Sequence, residues 1–286
     1  MTTDAIDAPN GEGGAVNETW EIVKTIAYAL LIAFALRVLL FQPYTIPSAS
    51  MEPNLYEGDY IIVSKFSYGY SKHSVPLSPP LFNGRLFNHA PQRGDIIVFK
   101  FPRDVHAGRA DFIKRLVGLP GDHIQVKAGQ VFINDKPLPR NEVEPGVTDM
   151  GYGATRPVER FYETATNGRR YLTQGYGADG QADNTGVYVV PPRCYFMMGD
   201  NRDNSLDSRF DPQLPTNVTG TANCGWDSTL DRYLPEAQPG VGFVPEEDLV
   251  GRAQMILLSW KPGASLFKPW TWVLNLRPSR FFHLLK

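Results

Sequence analysis

Cysteine is almost missing from this chain. Cys194 and Cys224 are the two among 286 residues, with no metal-ligand spacing around them, so neither a disulfide-stapled miniprotein nor a structural zinc site is expected. A basic excess is missing too. Lys and Arg total 28 against 30 Asp and Glu, a net charge of -2, which lacks the electrostatic footprint of phosphate-backbone binding; nucleic acid is not an expected partner. Long apolar runs are absent after residue 41, which excludes a multi-spanning membrane protein, and no internal repeat is visible. What is present is a hydrophobic share of 42%, charged residues at 20%, 26 Gly and 24 Pro, the make-up of a turn-rich globular chain with many short strands.

The first 41 residues stand apart. Met1 to Glu18 is small, polar and acidic and reads as a mobile tail, residues 1–20 as a unit. Ile22 to Phe41 is apolar except for Lys24 and Arg37, and about twenty helical residues at about 1.5 Å each span a hydrocarbon core of about 30 Å. Residues 21–41 therefore read as one transmembrane helix, with both charges near its ends and Trp20 as an interfacial anchor. A buried core helix and a signal peptide cleaved at Ala33-Phe34-Ala35 are the competing readings. The apolar stretch continues past that site through Leu36, Val38, Leu39, Leu40 and Phe41, and the segment before it is acidic, both contrary to a secretory signal. Lys24 against Arg37 leaves the orientation undecided, but residues 42–286 are expected together on one side.

Beyond the helix, β-branched and aromatic runs recur between turn residues: Tyr60–Val63, Asp95–Phe99, His123–Val126, Gln130–Ile133, Gly186–Val190 and Cys194–Met198. Gly129 and Asn134-Asp135 are turn chemistry around one of them, so a small hairpin is expected there, and the fold class is mainly β. Ser71–Gln92 and Asp211–Gly240 read as long loops. Gly251–Lys286 carries Trp260, Phe267, Trp270, Trp272, Phe281 and Phe282 with six Lys or Arg, among them Lys261, Lys268, Arg277, Arg280 and Lys286, and no acidic residue, a composition that suits a bilayer interface or the capping of a β core.

Three polar clusters carry chemistry. Ser48-Ala49-Ser50-Met51 follows an extended apolar piece within ten residues of the helix end. None of the five histidines has a setting that suggests a Ser-His-Asp triad, so the alternative base for a serine is a neutral lysine. Lys114 stands between apolar neighbours, and strand alternation puts it on one face with Phe112, with Ile113 and Arg115 on the other. To act near neutral pH its pKa must fall from about 10.4 by roughly three, a desolvation cost near 4 kcal/mol. By themselves a serine and a half-buried lysine identify no enzyme. The third cluster, Gly199–Arg209, reads as a turn held by Asx hydrogen bonds with exposed ion pairs worth under about 1 kcal/mol each, and it lacks the order of a calcium loop.

Together the clusters resemble the bacterial type I signal peptidases. The resemblance covers four blocks in family order, Ile46–Asp59, Arg93–Phe99, Ile113–Asp122 and Gly199–Arg209, with Gly242–Ala253 similar to the family's closing strand. It implies a single anchor followed by a β-rich peptidase domain outside the cytoplasm, on the periplasmic side of the inner membrane. It implies Ser50 as nucleophile, Lys114 as general base, and Ser48 beside the Ser50 backbone N–H as the oxyanion hole. Ser205 matches a hydroxyl that orients the lysine, and Asp207 with Arg209 a supporting ion pair. Tyr44, Ile46, Pro47, Leu55, Phe112 and Ile113 match the pockets for Ala-x-Ala-type residues before the scissile bond. Signal peptides of exported preproteins are the implied substrates, the lipid bilayer and the secretion translocon the implied partners, and no metal or cofactor is implied. Ala49 stands where many members have Gly, and its methyl bears on the placement of the neighbouring hydroxyls. In an oxidising space Cys194 and Cys224 either bridge the 211–240 loop to the core or remain two buried thiols. Other Ser/Lys peptidases, a self-cleaving repressor or a conjugation-type processing protease, share the Ser-Met pair; the repressor needs a DNA-binding module where this chain has its span. A tethered β-domain that only binds peptides is the reading from another class.

Overall fold

The computed structural model describes residues 12–75, 78–79, 82–102, 110–151, 154–177, 180–212, 223–233, 239–263 and 270–285. Helix α1 spans Glu12–Leu39, so residues 12–18 are helix and not tail. A helix already nucleated by its apolar stretch extends at the cost of one residue fixed per hydrogen bond gained; residues 1–11 lie outside the described residues. Within α1, Glu18–Leu39 has a mean hydropathy of 2.0, is long and apolar enough to cross a bilayer, and buries none of itself against the rest of the chain. The helix stops two residues short of Phe41. Pro43 cannot continue it, and Phe41 already belongs to strand β1 (Phe41–Thr45).

The strands that follow are β2 (Asp59–Ser64), β3 (Ile96–Lys100), β4 (Asp111–Gly118), β5 (His123–Lys127), β6 (Gln130–Ile133) and β7 (Lys136–Pro137). Next come three strands absent from the sequence reading, β8 (Arg140–Gly151), β9 (Ala154–Thr164) and β10 (Arg170–Gly175). The chain closes with β11 (Tyr188–Val189), β12 (Cys194–Met198), β13 (Val244–Pro245), β14 (Leu249–Ser259), the short helix α2 (Trp270–Leu274) and β15 (His283–Leu284). The fold is mainly β, as expected; the run Gly186–Val190 shortens to the two residues of β11. The expected hairpin forms between β5 and β6, turning at Ala128 and Gly129, both at positive φ. Asn134 and Asp135, also at positive φ, turn β6 into β7.

The largest sheet has the order β1-β2-β14-β3-β4-β12-β13, with β15 paired to β14, and every strand pair in it is antiparallel. Its register places Phe41 opposite Ser64, Ser64 opposite Arg252, Arg252 opposite Ile97, and Ile97 opposite Lys114. Residues from the exit of α1 to Lys114 thus form one row, four strand spacings or roughly 19 Å across. The junction is tight: the Lys65 N–H donates to the Leu40 carbonyl at 2.9 Å, and the Tyr70 hydroxyl donates to the Leu39 carbonyl at 2.6 Å. One buried apolar cluster gathers Ile46, Met51, Leu55, Ile61, Val63 and Ile256 beneath this row. Another, around Val117, Ile124, Tyr188 and Phe196, joins the large sheet to the β5–β6 hairpin.

The long loops are tied down where they are described. Arg85, in the 71–92 segment, donates to the carbonyls of Tyr68, Gly69, Glu246 and Leu249. Cys194 and Cys224 are disulfide-bonded, fastening the 211–240 segment to β12. The C-terminal aromatics divide. Trp260 packs edge-on to Tyr60 and against Phe281, whereas Trp270, Val273, Leu274 and Phe282 point outward; Phe267 lies outside the described residues.

The disulfide closes a loop with a sequence separation of 30, which the chain-entropy model values at about 3–4 kcal/mol. Cys224→Ser is expected to lower the unfolding free energy toward that extent. Chemical denaturation under oxidising conditions checks it, and equal midpoints for variant and parent would show that the bridge constrains nothing.

Candidate active site

Ser50 sits in a single turn of 3₁₀ helix, Ala49–Met51, that directly follows the extended Ser48. The turn is anchored from below by Met51 and Leu55, both fully buried. From the side, the Asn201 N–H donates to the Ser50 carbonyl at 3.1 Å, and Asn201 Nδ2 donates to the Ala49 carbonyl at 3.2 Å. Gly199 has to be glycine, because a Cβ there would lie 2.3 Å from Ser205 Oγ and 2.6 Å from the Ser50 carbonyl oxygen. Behind the turn, the Thr148 hydroxyl of β8 donates to Glu52 Oε2 at 2.5 Å.

Lys114 projects from the middle of β4 on the same side as Phe112, its Nζ 5.9 Å from the Phe112 ring centroid. The amine donates to Ser50 Oγ at 2.7 Å, and both residues are buried. Burial is the dominant cause that pushes the Lys114 pKa down to about 8, against the opposing pull of the Asp207 and Asp200 carboxylates. Ser48 Oγ lies 3.4 Å from Ser50 Oγ on the exposed side.

The Gly199–Arg209 cluster departs from the sequence reading. Its ion pairs are buried forks, not exposed pairs. Arg115 of β4 grips Asp200 through Nε and Nη2 at 2.6 and 2.8 Å, Arg202 grips Glu163 of β9 at 2.7 and 2.5 Å, and Arg209 grips Asp207 at 2.9 and 3.0 Å. Asp200 and Asp207 are wholly buried. The Arg209 fork is strong enough to hold the Asp207 carboxyl below its usual range although burial pulls the other way. The expected Asp207–Arg209 contact is therefore made. Ser205 lines a cavity together with Ser48, Ser50 and Lys114, but its hydroxyl is buried without a hydrogen-bond partner, so the expected contact that orients the lysine is not made.

The residues matched to the substrate pockets separate into groups. Ile46 and Leu55 are buried in one apolar cluster, with Tyr44 and Ile113 packed against it, while Pro47 is exposed. Phe112 instead lines a cavity of about 380 Å³ that also holds Ser48, Ser50 and Lys114. Arg115, Asn201, Glu163, Arg202 and Asn54, which donates to Asp200 Oδ2 at 2.7 Å, were not singled out from sequence as supports for the turn. The alternation that turns Arg115 away from Lys114 was the available signal for one of them. Among the described residues no group of three His, Cys, Asp or Glu is arranged to hold a metal ion, and no histidine lines the cavity.

The family model described as signal peptidase, peptidase S26, matches residues 19–260. A signal peptidase I of Rickettsia canadensis is 36% identical over 264 residues, covering 90% of this chain and 85% of that one. A signal peptidase I of Rickettsia typhi is 35% identical over 277 residues, 90% of each chain. Among solved structures, a signal peptidase I from Enterococcus faecalis is 21% identical over 57% of this chain and 97% of that one, with a TM-score of 0.27, too slight a likeness to bear on the fold or the site. This chain belongs to the signal peptidase family, peptidase S26.

Removing one partner of a buried fork leaves an uncompensated charge, at a typical cost of about 3–5 kcal/mol. Asp207→Ala, which strands Arg209, is expected to destabilise the fold by that order. A thermal melt of the variant indistinguishable from the parent would show the fork to be dispensable.

Proposed function

We propose that this protein is a membrane-anchored serine endopeptidase that removes signal peptides from exported preproteins, cleaving after small residues of the Ala-x-Ala type through a Ser50–Lys114 dyad. The observation that carries the reading is the 2.7 Å contact between a buried amine with a lowered pKa and a serine hydroxyl, in a chain of the S26 family.

In this mechanism neutral Lys114 takes the Ser50 proton as Oγ attacks the scissile carbonyl carbon. The oxyanion that forms accepts from the Ser50 backbone N–H and the Ser48 hydroxyl, a type of donor typically worth about 2.7–4 kcal/mol. As the C–N bond breaks, the Lys114 ammonium returns its proton to the departing amine, leaving an acyl ester on Ser50. Water then attacks the ester, with Lys114 again as base. Tyr44, Ile46, Pro47, Leu55, Ile113 and Phe112 would receive the residues before the bond, and the tightness of the Ile46–Leu55 cluster favours small ones. The Asp207–Arg209 fork would support the loop behind the lysine; Ser205, whose hydroxyl makes no hydrogen bond in this structure, would orient the lysine only after turning toward it.

Membrane placement follows the same reading: α1 crosses the inner membrane and the β-rich domain lies on the periplasmic side, in reach of preproteins leaving the translocon. The exposed apolar face of α1 and the outward aromatics of α2 support lipid contact. The Cys194–Cys224 bond supports an oxidising compartment.

The test is cleavage of a preprotein by the purified full chain. Ser50→Ala and Lys114→Ala are each expected to abolish processing after the Ala-x-Ala site, and undiminished processing by both variants would end the dyad assignment. The pH dependence follows from the lysine. Below about 8 the amine is protonated and cannot accept the serine proton, so kcat should rise about tenfold per pH unit on the acid side and level off above that value. Rates measured from pH 6 to 9 check this; a flat profile would remove Lys114 as the titrating base.

A further inference from the structure

Of the residues assigned to the substrate segment before the scissile bond, the cavity beside Ser50 and Lys114 includes Phe112 and none of the other five. Tyr44, Ile46, Leu55 and Ile113 belong to the cluster beneath the turn. The cavity lies instead between β4 and the 199–209 loop, with a volume of about 380 Å³, space that about a dozen waters would fill. Phe112, Ala182, Leu206 and Phe210 form an apolar part of its wall, and Gln181, Arg202, Asp203, Asn204 and Ser205 form the polar remainder. Ala182 and Phe210 are buried against each other, whereas Leu206 is 42% exposed, a large apolar side chain left facing the opening.

Stereochemistry says what this space is for. When the acyl–enzyme forms, the acyl half stays on Ser50 and the departing amine nitrogen takes a proton from Lys114 Nζ. That nitrogen must therefore come within hydrogen-bond reach of Nζ, and Lys114 is part of the cavity wall. The departing half of the substrate is thereby directed into the cavity and not toward the Ile46–Leu55 cluster.

Resting on the dyad reading above, we propose that this cavity is a leaving-side specificity pocket: it receives the side chain of the first residue after the scissile bond, and Leu206 and Asn204 set the size it accepts. The apolar patch of Phe112, Ala182, Leu206 and Phe210, in a cavity of that volume, suits a bulky apolar side chain, so the wild-type enzyme processes substrates with Phe as well as Ala at that position. Neither Leu206 nor Asn204 takes part in the forks that hold the loop.

The experiment uses the full chain in detergent and two preprotein series. One varies only the first residue after the bond, Ala against Phe; the other varies only the third residue before it, Ala against Leu. Leu206→Trp, which narrows the opening, is expected to lower the Phe-to-Ala ratio of kcat/KM in the first series about tenfold or more, as filling an apolar pocket does. The Leu-to-Ala ratio in the second series should not move. Asn204→Trp, from an exposed position, provides an independent second narrowing with the same expected signature. Equal ratios in variants and parent, a shift confined to the second series, or parallel shifts in both would overturn the pocket assignment. Failure of the wild-type chain to cleave any member of either series would overturn the peptidase reading itself, and the pocket with it.

Discussion

On the proposed reading, the site depends on keeping one amine uncharged beside one hydroxyl. Burial alone does this imperfectly, because two carboxylates, Asp200 and Asp207, stand close enough to pull the Lys114 pKa back up. Each is already committed to a guanidinium, Arg115 and Arg209 respectively, and Glu163 is committed to Arg202. The forks are close to neutral as units, so the desolvation of Lys114 outweighs the field of its acidic neighbours and its pKa settles near 8. Without the forks, the same carboxylates would favour the ammonium.

Such forks are weak evidence for stability, since desolvating both partners costs several kcal/mol per ion and a well-packed apolar replacement is often as stable. Their value here is positional. Arg115 ties the 199–209 loop to β4, the strand that carries Lys114, and Arg202 ties it to β9. The loop in turn holds the Ser50 turn through Asn201, while Asn54 bridges back to Asp200. Lysine and serine, 64 residues apart in the chain, are thus indexed to one rigid loop. The three-stranded sheet β8–β10 takes part through every strand: Thr148 of β8 contacts Glu52, Glu163 of β9 holds Arg202, and Gln174 of β10 exchanges backbone hydrogen bonds with Asp200 and Arg202.

These supports explain what was legible in the sequence and what was not. β2, β3, β5, β6 and β12 announce themselves by β-branched runs between turn residues, and α1 by its apolar length. The β8–β9 hairpin does not: β9 begins with four consecutive exposed residues and carries charges along its length, so no alternation marks it as half-buried. Ser50, Ser48 and Lys114 were readable as a local motif and a lysine among apolar neighbours. The Arg115–Asp200 and Arg202–Glu163 partners, 85 and 39 residues apart, leave no local trace. The acid–base mixture of 199–209 reads as exposed because composition reports charge and not burial. That the Ser205 hydroxyl is buried without a partner, close against Gly199, is something no residue spacing reveals.

The same rigidity reaches the membrane-facing end of the chain. No flexible linker separates α1 from the sheet: the helix stops at Leu39, β1 starts at Phe41, and backbone and hydroxyl donors from Lys65 and Tyr70 close the joint. A tether of many residues would, on the proposed reading, let the row that carries Lys114 sample a range of heights and dilute the encounter with any substrate held in the same bilayer, since effective concentration falls as the connecting chain lengthens. Here the row Phe41–Ser64–Arg252–Ile97–Lys114 fixes the lysine relative to the helix exit by backbone pairing alone. On the proposed reading, the position of the cut along a membrane-embedded leader is then set by the sheet as much as by the side-chain pockets: small residues are read where the sheet holds Ser50, and equally small residues elsewhere in the leader are passed over.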